Sequence, residues 1–182
     1  MVLVCGLPGA GKTTLLRAAL PLRPAHERWL AVENRLAALP GGDPAPLVEG
    51  VTWQRMSGGC VCCSLAVQFR VLLTRLLREV RPARVLVEVG ASADPAVFAR
   101  LLGDEWLARA VRPAGVLLVV DPAHEPKERT GAAREQALAA SLVVWSARDG
   151  SPAPADCFGR PVVSFEPGEP PQGGLRAALL AP

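Results

Sequence analysis

Short, nearly unbroken apolar runs alternate along this chain with stretches whose apolar residues recur at helical spacing. Residues 1–5 (MVLVC), Trp29–Val32, Val51–Met56, Val85–Val89, Gly115–Val120, Leu142–Trp145 and Pro161–Phe165 read as strands. A helix is predicted over Lys12–Leu20, ended by Pro21 and Pro24. A second runs over Ser64–Val80, where Leu65, Phe69, Leu72, Leu73, Leu76 and Leu77 line one face. Pro95–Leu102 reads as a third, with Asp94 as N-cap and Pro at the first helical position. Residues 127–141 and a short apolar piece near Leu175–Leu180 complete the set. Residues 36–50, rich in Pro, Gly and Ala, read as a loop.

Strands that lack polar alternation are buried on both faces. Helices between them supply the cover, so the pattern predicts an α/β fold with a doubly wound, mostly parallel sheet. No internal repeat is visible, and residues 1–182 are expected to form a single domain.

Composition narrows the function classes. Half of the 182 residues are apolar, enough for a core without staples. Net charge is only +3, with no block of like charges, so no polyanion-binding surface is expected. Tyr is absent and Phe and Trp number four each, too few aromatic faces for a base-stacking platform, which argues against nucleic acid as a partner. The longest apolar run, at Gly115–Val120, is too short to cross a bilayer. Met1 leads straight into a strand, so no targeting leader is expected. The five cysteines are odd in number and three of them crowd together, which suits metal binding or redox chemistry in a cytoplasmic setting better than a disulfide framework.

The strongest chemical signal is Gly6-Leu7-Pro8-Gly9-Ala10-Gly11-Lys12-Thr13, which fits G-x-x-x-x-G-K-[ST] in full between a strand and a helix. The glycines Gly6, Gly9 and Gly11, with small Ala10, let backbone N–H groups curl around an anion, and the helix N-terminus adds a favourable dipole. Lys12 reaches the β- and γ-phosphates, the Thr13 hydroxyl ligates Mg²⁺, and Thr14 is placed for the α-phosphate. Glu88 ends an apolar strand. A buried carboxylate needs a partner, and Mg²⁺ or a Mg²⁺-bound water is favoured here over a structural salt bridge.

Cys60-Val61-Cys62-Cys63 follows Gly58-Gly59, a pair that eases a bend. Thiolates are soft ligands, and three within four residues can converge on Zn²⁺. Small buried hydrophobes are the alternative. Cys5, inside the first strand, is expected in the core. Cys157, in a Pro-rich stretch, is read as an incidental loop residue, and His26 is given no role.

The phosphate loop and the Cys-x-Cys-Cys cluster together resemble the CobW-type GTPases, P-loop proteins linked to metal delivery and related to HypB and UreG. The resemblance runs from Met1 to about Asp149 and includes Glu88-Val89-Gly90-Ala91-Ser92-Ala93-Asp94-Pro95 and Val120-Asp121. It implies a P-loop NTPase fold and GTP with Mg²⁺, turned over slowly. It further implies zinc or a similar divalent metal at Cys60, Cys62 and Cys63, coupled to the nucleotide state. Some family members carry a His near the metal site three residues after the Asp of that strand end, which adds His124 to the metal candidates.

Departures from the family pattern matter. Its N-K-x-D motif, with the register set by Gln136 and Ala140, falls on Ser146-Ala147-Arg148-Asp149. Asp149 alone remains, and its carboxylate would accept from guanine N1 and N2. The family's N-E-F-G run falls on Glu33-Asn34-Arg35-Leu36. Either Glu33 takes the metal-side role of that Glu or the role is lost to a solvated loop. The family's γ-phosphate glycine falls on Ala91, with Gly90 one position early. The resemblance implies a smaller C-terminal domain in the family, and none is expected within residues 1–182.

The leading expectation is a slow Mg²⁺-dependent GTPase acting in metal delivery or metal-dependent regulation, with Lys12 and Glu88 in the catalytic roles. A metal-receiving client protein is implied, and a homodimer is left open. A non-catalytic nucleotide- and metal-binding protein with degenerate switches is the alternative. An ATP-dependent small-molecule kinase ranks third, its lid arginines represented only by Arg129 and Arg134.

Overall fold

The computed structural model describes residues 1–35, 46–57, 66–90, 105–123, 131–146 and 150–181. Their strands are β1 (Val2–Cys5), β2 (Trp29–Arg35), β3 (Val51–Ser57), β4 (Arg84–Glu88), β5 (Gly115–Val120), β6 (Leu142–Trp145), β7 (Asp156–Cys157) and β8 (Arg160–Ser164). Their helices are α1 (Lys12–Ala19), α2 (Ala66–Val80), α3 (Glu105–Ala110), α4 (Gly131–Ala139) and α5 (Gly173–Leu180). A 3₁₀ turn at Leu20–Leu22 closes α1, with Pro21 at its start.

The strands form one eight-stranded sheet in the order β3-β2-β4-β1-β5-β6-β8-β7. All neighbours run parallel except the β7–β8 pair. The expected doubly wound, mostly parallel α/β fold is therefore what the chain adopts. All four residues of β1 are buried, because side chains of alternate parity enter two different cores. On one face, Leu15, Leu16 and Ala19 of α1 and Leu175 and Leu179 of α5 pack over Val2, Val4, Leu86 and Val119. On the other, Phe69, Leu73 and Leu76 of α2 and Leu107 of α3 pack over Leu3, Val87, Leu118 and Val120. Each such fully buried Leu or Phe contributes about 1.5–3 kcal/mol.

Arginines tie the helices to the sheet. Arg84 of β4 donates to the carbonyls of Leu180 (2.8 Å) and Ala181 (2.7 Å) at the end of α5. Arg160 of β8 does the same for Leu138 (2.6 Å) and Ala137 (3.3 Å) of α4. Both place a cation at the negative end of a helix.

The strand order reverses at β1, which lies between β4 and β5. In open parallel sheets a ligand crevice opens outside the carboxyl ends of the strands at such a point.

Three readings change. Cys157 is a buried core residue of β7, because the short β7–β8 hairpin turns its side chain inward. Glu33 and Asn34 lie within β2 and are buried, since pairing with β3 continues to Arg35 and carries both into the sheet. Helix α3 and strand β7 have no counterpart in the sequence pattern. The helix expected over 95–102 lies outside the described residues, as does the 36–45 part of the expected loop.

Candidate functional site

The loop after β1 wraps the start of α1. Gly6 has φ 144°, and a Cβ there would lie 2.4 Å from the carbonyl oxygen of Val119 on β5. No side chain fits, so this glycine is what lets the loop leave the sheet beside β5. Within the loop, Ala10 N–H donates to Leu7 O at 3.3 Å. Gly11 is the N-cap of α1; it offers no side-chain cap, and no acid sits in the first turn. The positive end of the helix dipole thus faces the loop.

Lys12 lies under the loop, only 8% exposed. Its Nζ donates to the carbonyls of Gly6 (3.0 Å) and Leu7 (2.9 Å). Burial lowers its pKa below the usual lysine value, while the charge of Glu88 and the nearby Cys5 thiol pull it back up. Thr13 Oγ1 donates to Glu88 Oε2 at 2.7 Å. Glu88, 5% exposed at the end of β4, therefore has the hydroxyl of α1 and the field of Lys12 as its surroundings. The two oxygens form a hard donor pair of the kind Mg²⁺ takes. Thr14 is half-buried on the next position of α1.

A Cβ on Gly90 would meet Asn34 Oδ1 at 2.9 Å, so the chain leaving β4 passes close to the buried Asn34 of β2. Asp121, after β5, is 2% exposed and accepts from Ala123 N–H at 3.0 Å, which makes a turn.

The other end of the crevice lies past β6 and β8. Ser146 N–H donates to Val120 O at 2.8 Å, and Phe165 N–H donates to Trp145 O at 2.8 Å. A cavity of about 640 Å³ opens there, lined among others by Trp145, Ser151, Pro152, Ser164 and Glu166. Ser164 and Glu166 carried no motif; the usable signal was their place after an apolar run in a parallel sheet. Ser146 itself is fully buried, and its Oγ has no hydrogen-bond partner among the described residues.

Glu33 is not a solvated loop carboxylate. It is 0% exposed, and its Oε2 accepts from Trp53 Nε1 at 2.9 Å and from Arg55 Nε at 2.9 Å. Cys60, Cys62, Cys63, His124, Asp149 and Arg129 lie outside the described residues. Among the described residues no group of three His, Cys, Asp or Glu is gathered to hold a metal ion. Cys5 is buried as expected, and its thiol donates to Leu117 O at 3.5 Å. His26 is exposed, as is Arg134 on α4. No helix among the described residues is long and apolar enough to cross a membrane.

Comparison with known proteins adds to this geometry. The zinc chaperone YeiR of Escherichia coli (strain K12) is 28% identical over 151 residues, covering 81% of this chain and 46% of YeiR. The zinc-regulated GTPase metalloprotein activator 1 of Schizosaccharomyces pombe is 28% identical over 130 residues, covering 66% of this chain and 31% of that protein. The chain spans less than half the length of these curated relatives. The crystal structure of a Zn(II)-bound triple mutant of the YjiA GTPase superposes with a TM-score of 0.61 at 22% identity, covering 96% of this chain and 59% of that one, a likeness of fold. Residues 1–156 match the family model for the CobW/HypB/UreG nucleotide-binding domain, and the chain belongs to that family.

Proposed function

We propose that this chain binds GTP with Mg²⁺ at the phosphate loop and hydrolyses it slowly. We further assign zinc or a related divalent ion to Cys60, Cys62 and Cys63, with the cycle serving metal delivery to a client protein or metal-dependent regulation. The observation that carries the nucleotide reading is the Lys12–Thr13–Glu88 arrangement beneath a glycine-shaped loop at the reversal point of the sheet. Relatives that bear the names zinc chaperone and zinc-regulated GTPase support the metal side.

The chemistry follows from the residues. A triphosphate in the loop would accept from the backbone N–H groups and from Lys12, which would exchange its bonds to Gly6 and Leu7 for phosphate oxygens. Lys12 and the start of α1 would then stabilise charge that develops on the transferring phosphoryl oxygens. Thr13 and Glu88 would hold Mg²⁺, which when bound neutralises phosphate charge and orients the chain of phosphates. Beyond the loop, Asp149 would accept from guanine N1 and N2. Rates on the order of 10⁻⁴ to 10⁻² s⁻¹ are expected, as for GTPases without a partner.

The test is phosphate release from GTP at high protein concentration, with and without zinc, for the intact chain and for Lys12→Ala. Slow release that EDTA and Lys12→Ala both abolish supports the reading. No release under any zinc condition would favour the non-catalytic alternative, which the eroded base-recognition run Ser146-Ala147-Arg148-Asp149 and the early Gly90 motivate. ATP consumption that requires an added acceptor would favour the kinase.

A further inference from the structure

Helix α2 is apolar on two sides. Phe69, Leu73 and Leu76 are buried against the sheet. Val67 and Val71 lie one turn apart on the opposite side, 73% and 66% exposed. The other large apolar residues exposed among those described, Leu47 and Leu138, stand singly, which is ordinary for a surface. Two β-branched residues on the water-facing side add nothing to helix formation, and a helix with apolar residues on two sides is normally covered on both.

The pattern around these valines is ordered. Val67, Val71, Thr74 and Arg78 follow one another at spacings of four, three and four residues. That is the spacing of a seam along which one helix packs on another. Arg70 flanks the seam on one side and Arg75 on the other. At 1.5 Å per residue the seam is about 16 Å long, the footprint of three helical turns. Together with Glu79, these residues line a groove of about 790 Å³. All the charged residues of α2 lie in it, three arginines and one glutamate. The Arg75–Glu79 pair, 3.8 Å apart with both side chains 61% exposed, is screened by water and easily exchanged for another partner.

The charge selects the occupant. A second copy of this helix would set arginines against arginines, with one glutamate on each copy to answer three. A bilayer is a poor match, because the groove offers two valines and no aromatic residue to seat among lipid headgroups. We propose that the outer face of α2 docks an amphipathic helix of a partner protein. Its aliphatic residues would pack on Val67 and Val71, and its glutamates or aspartates would face Arg70, Arg75 and Arg78. The surface and its ligand class stand apart from the nucleotide and metal readings.

The experiment is fluorescence anisotropy of the intact chain with a labelled synthetic helix, about three heptads long, that carries Leu along its seam and Glu on both flanks. One control helix carries Lys on the flanks, and another carries Ser along the seam. The Glu-flanked helix is expected to bind at least about tenfold tighter than either control, and less tightly as salt is raised. Val71→Glu should weaken it by at least about tenfold. Arg70→Glu with Arg75→Glu should weaken it by a similar factor and tighten the Lys-flanked helix, a reversal that simple loss of fold cannot produce. If Val71→Glu fails to fold, Val67→Ser with Val71→Ser takes its place. Failure of the Glu-flanked helix to bind, or binding that these variants leave unchanged, would overturn the proposal. So would a dimer in sedimentation that Val71→Glu dissociates, which gives the face to a second copy. Binding to phosphatidylserine vesicles that the same change abolishes would give it to a membrane and overturn the proposal as well.

Discussion

The two ends of the crevice are built to different standards. At the phosphate end, every polar side chain that the motif supplies has a named partner: Lys12 holds the Gly6 and Leu7 carbonyls, and Thr13 holds Glu88. At the far end, Ser146 keeps a buried hydroxyl without a hydrogen-bond partner among the described residues, beside an open cavity of about 640 Å³. The contrast teaches where binding energy should come from. Affinity should rest on the phosphates, and discrimination between bases should be modest and carried by Asp149.

The largest expected effect breaks the strong end. Lys12→Ala removes the buried cation, and nucleotide affinity should drop by at least about 100-fold, because bonds from a charged donor are worth roughly 1.5–3 kcal/mol each. Titration with a fluorescent nucleotide reads the loss, and an unchanged far-ultraviolet circular dichroism spectrum excludes unfolding. Glu88→Gln should act next. The amide still accepts from Thr13 but lacks the charge that Mg²⁺ needs. The Mg²⁺-dependent part of GTP affinity should therefore fall by about tenfold, with affinity in EDTA unchanged.

Asp149→Ala sharpens the comparison from the weak side. It should lower the ratio of GTP to ATP affinity by about tenfold, at the scale of one or two lost hydrogen bonds, and leave the affinity for inorganic triphosphate untouched. Competition between the three ligands measures it.

The smallest effect concerns Cys5, at the foot of the loop. Burial pushes its thiol up to about 12, against an ordinary value of 9.0, with Lys12 opposing. The folded chain therefore keeps a proton that the unfolded chain loses. Stability should fall as pH rises from about 9 to about 12, and Cys5→Ala should flatten that slope in urea melts.

Much of this was legible before any coordinates. The phosphate loop could be read because its glycine spacing and its strand-to-helix context agree, and Glu88 because a carboxylate in an apolar run demands a partner. Register was not legible. The grip of Trp53 and Arg55 on Glu33 exists only because β2 and β3 pair residue for residue, a long-range fact that no local pattern carries. The approach of Gly90 to Asn34 is hidden for the same reason. Cys157 was misread because a two-residue strand is too short to show a period. Helix α3, six residues long, is likewise too short for its pattern to stand out.

The central claim is that a phosphate-anchored site with one surviving base contact still prefers guanine. Calorimetric titration of the metal-free protein with Mg-GTP and, in parallel, with Mg-ATP tests it most directly. The account predicts tighter binding of GTP, by about tenfold, with both nucleotides losing their affinity in Lys12→Ala. Equal binding, or a preference for ATP, would contradict it.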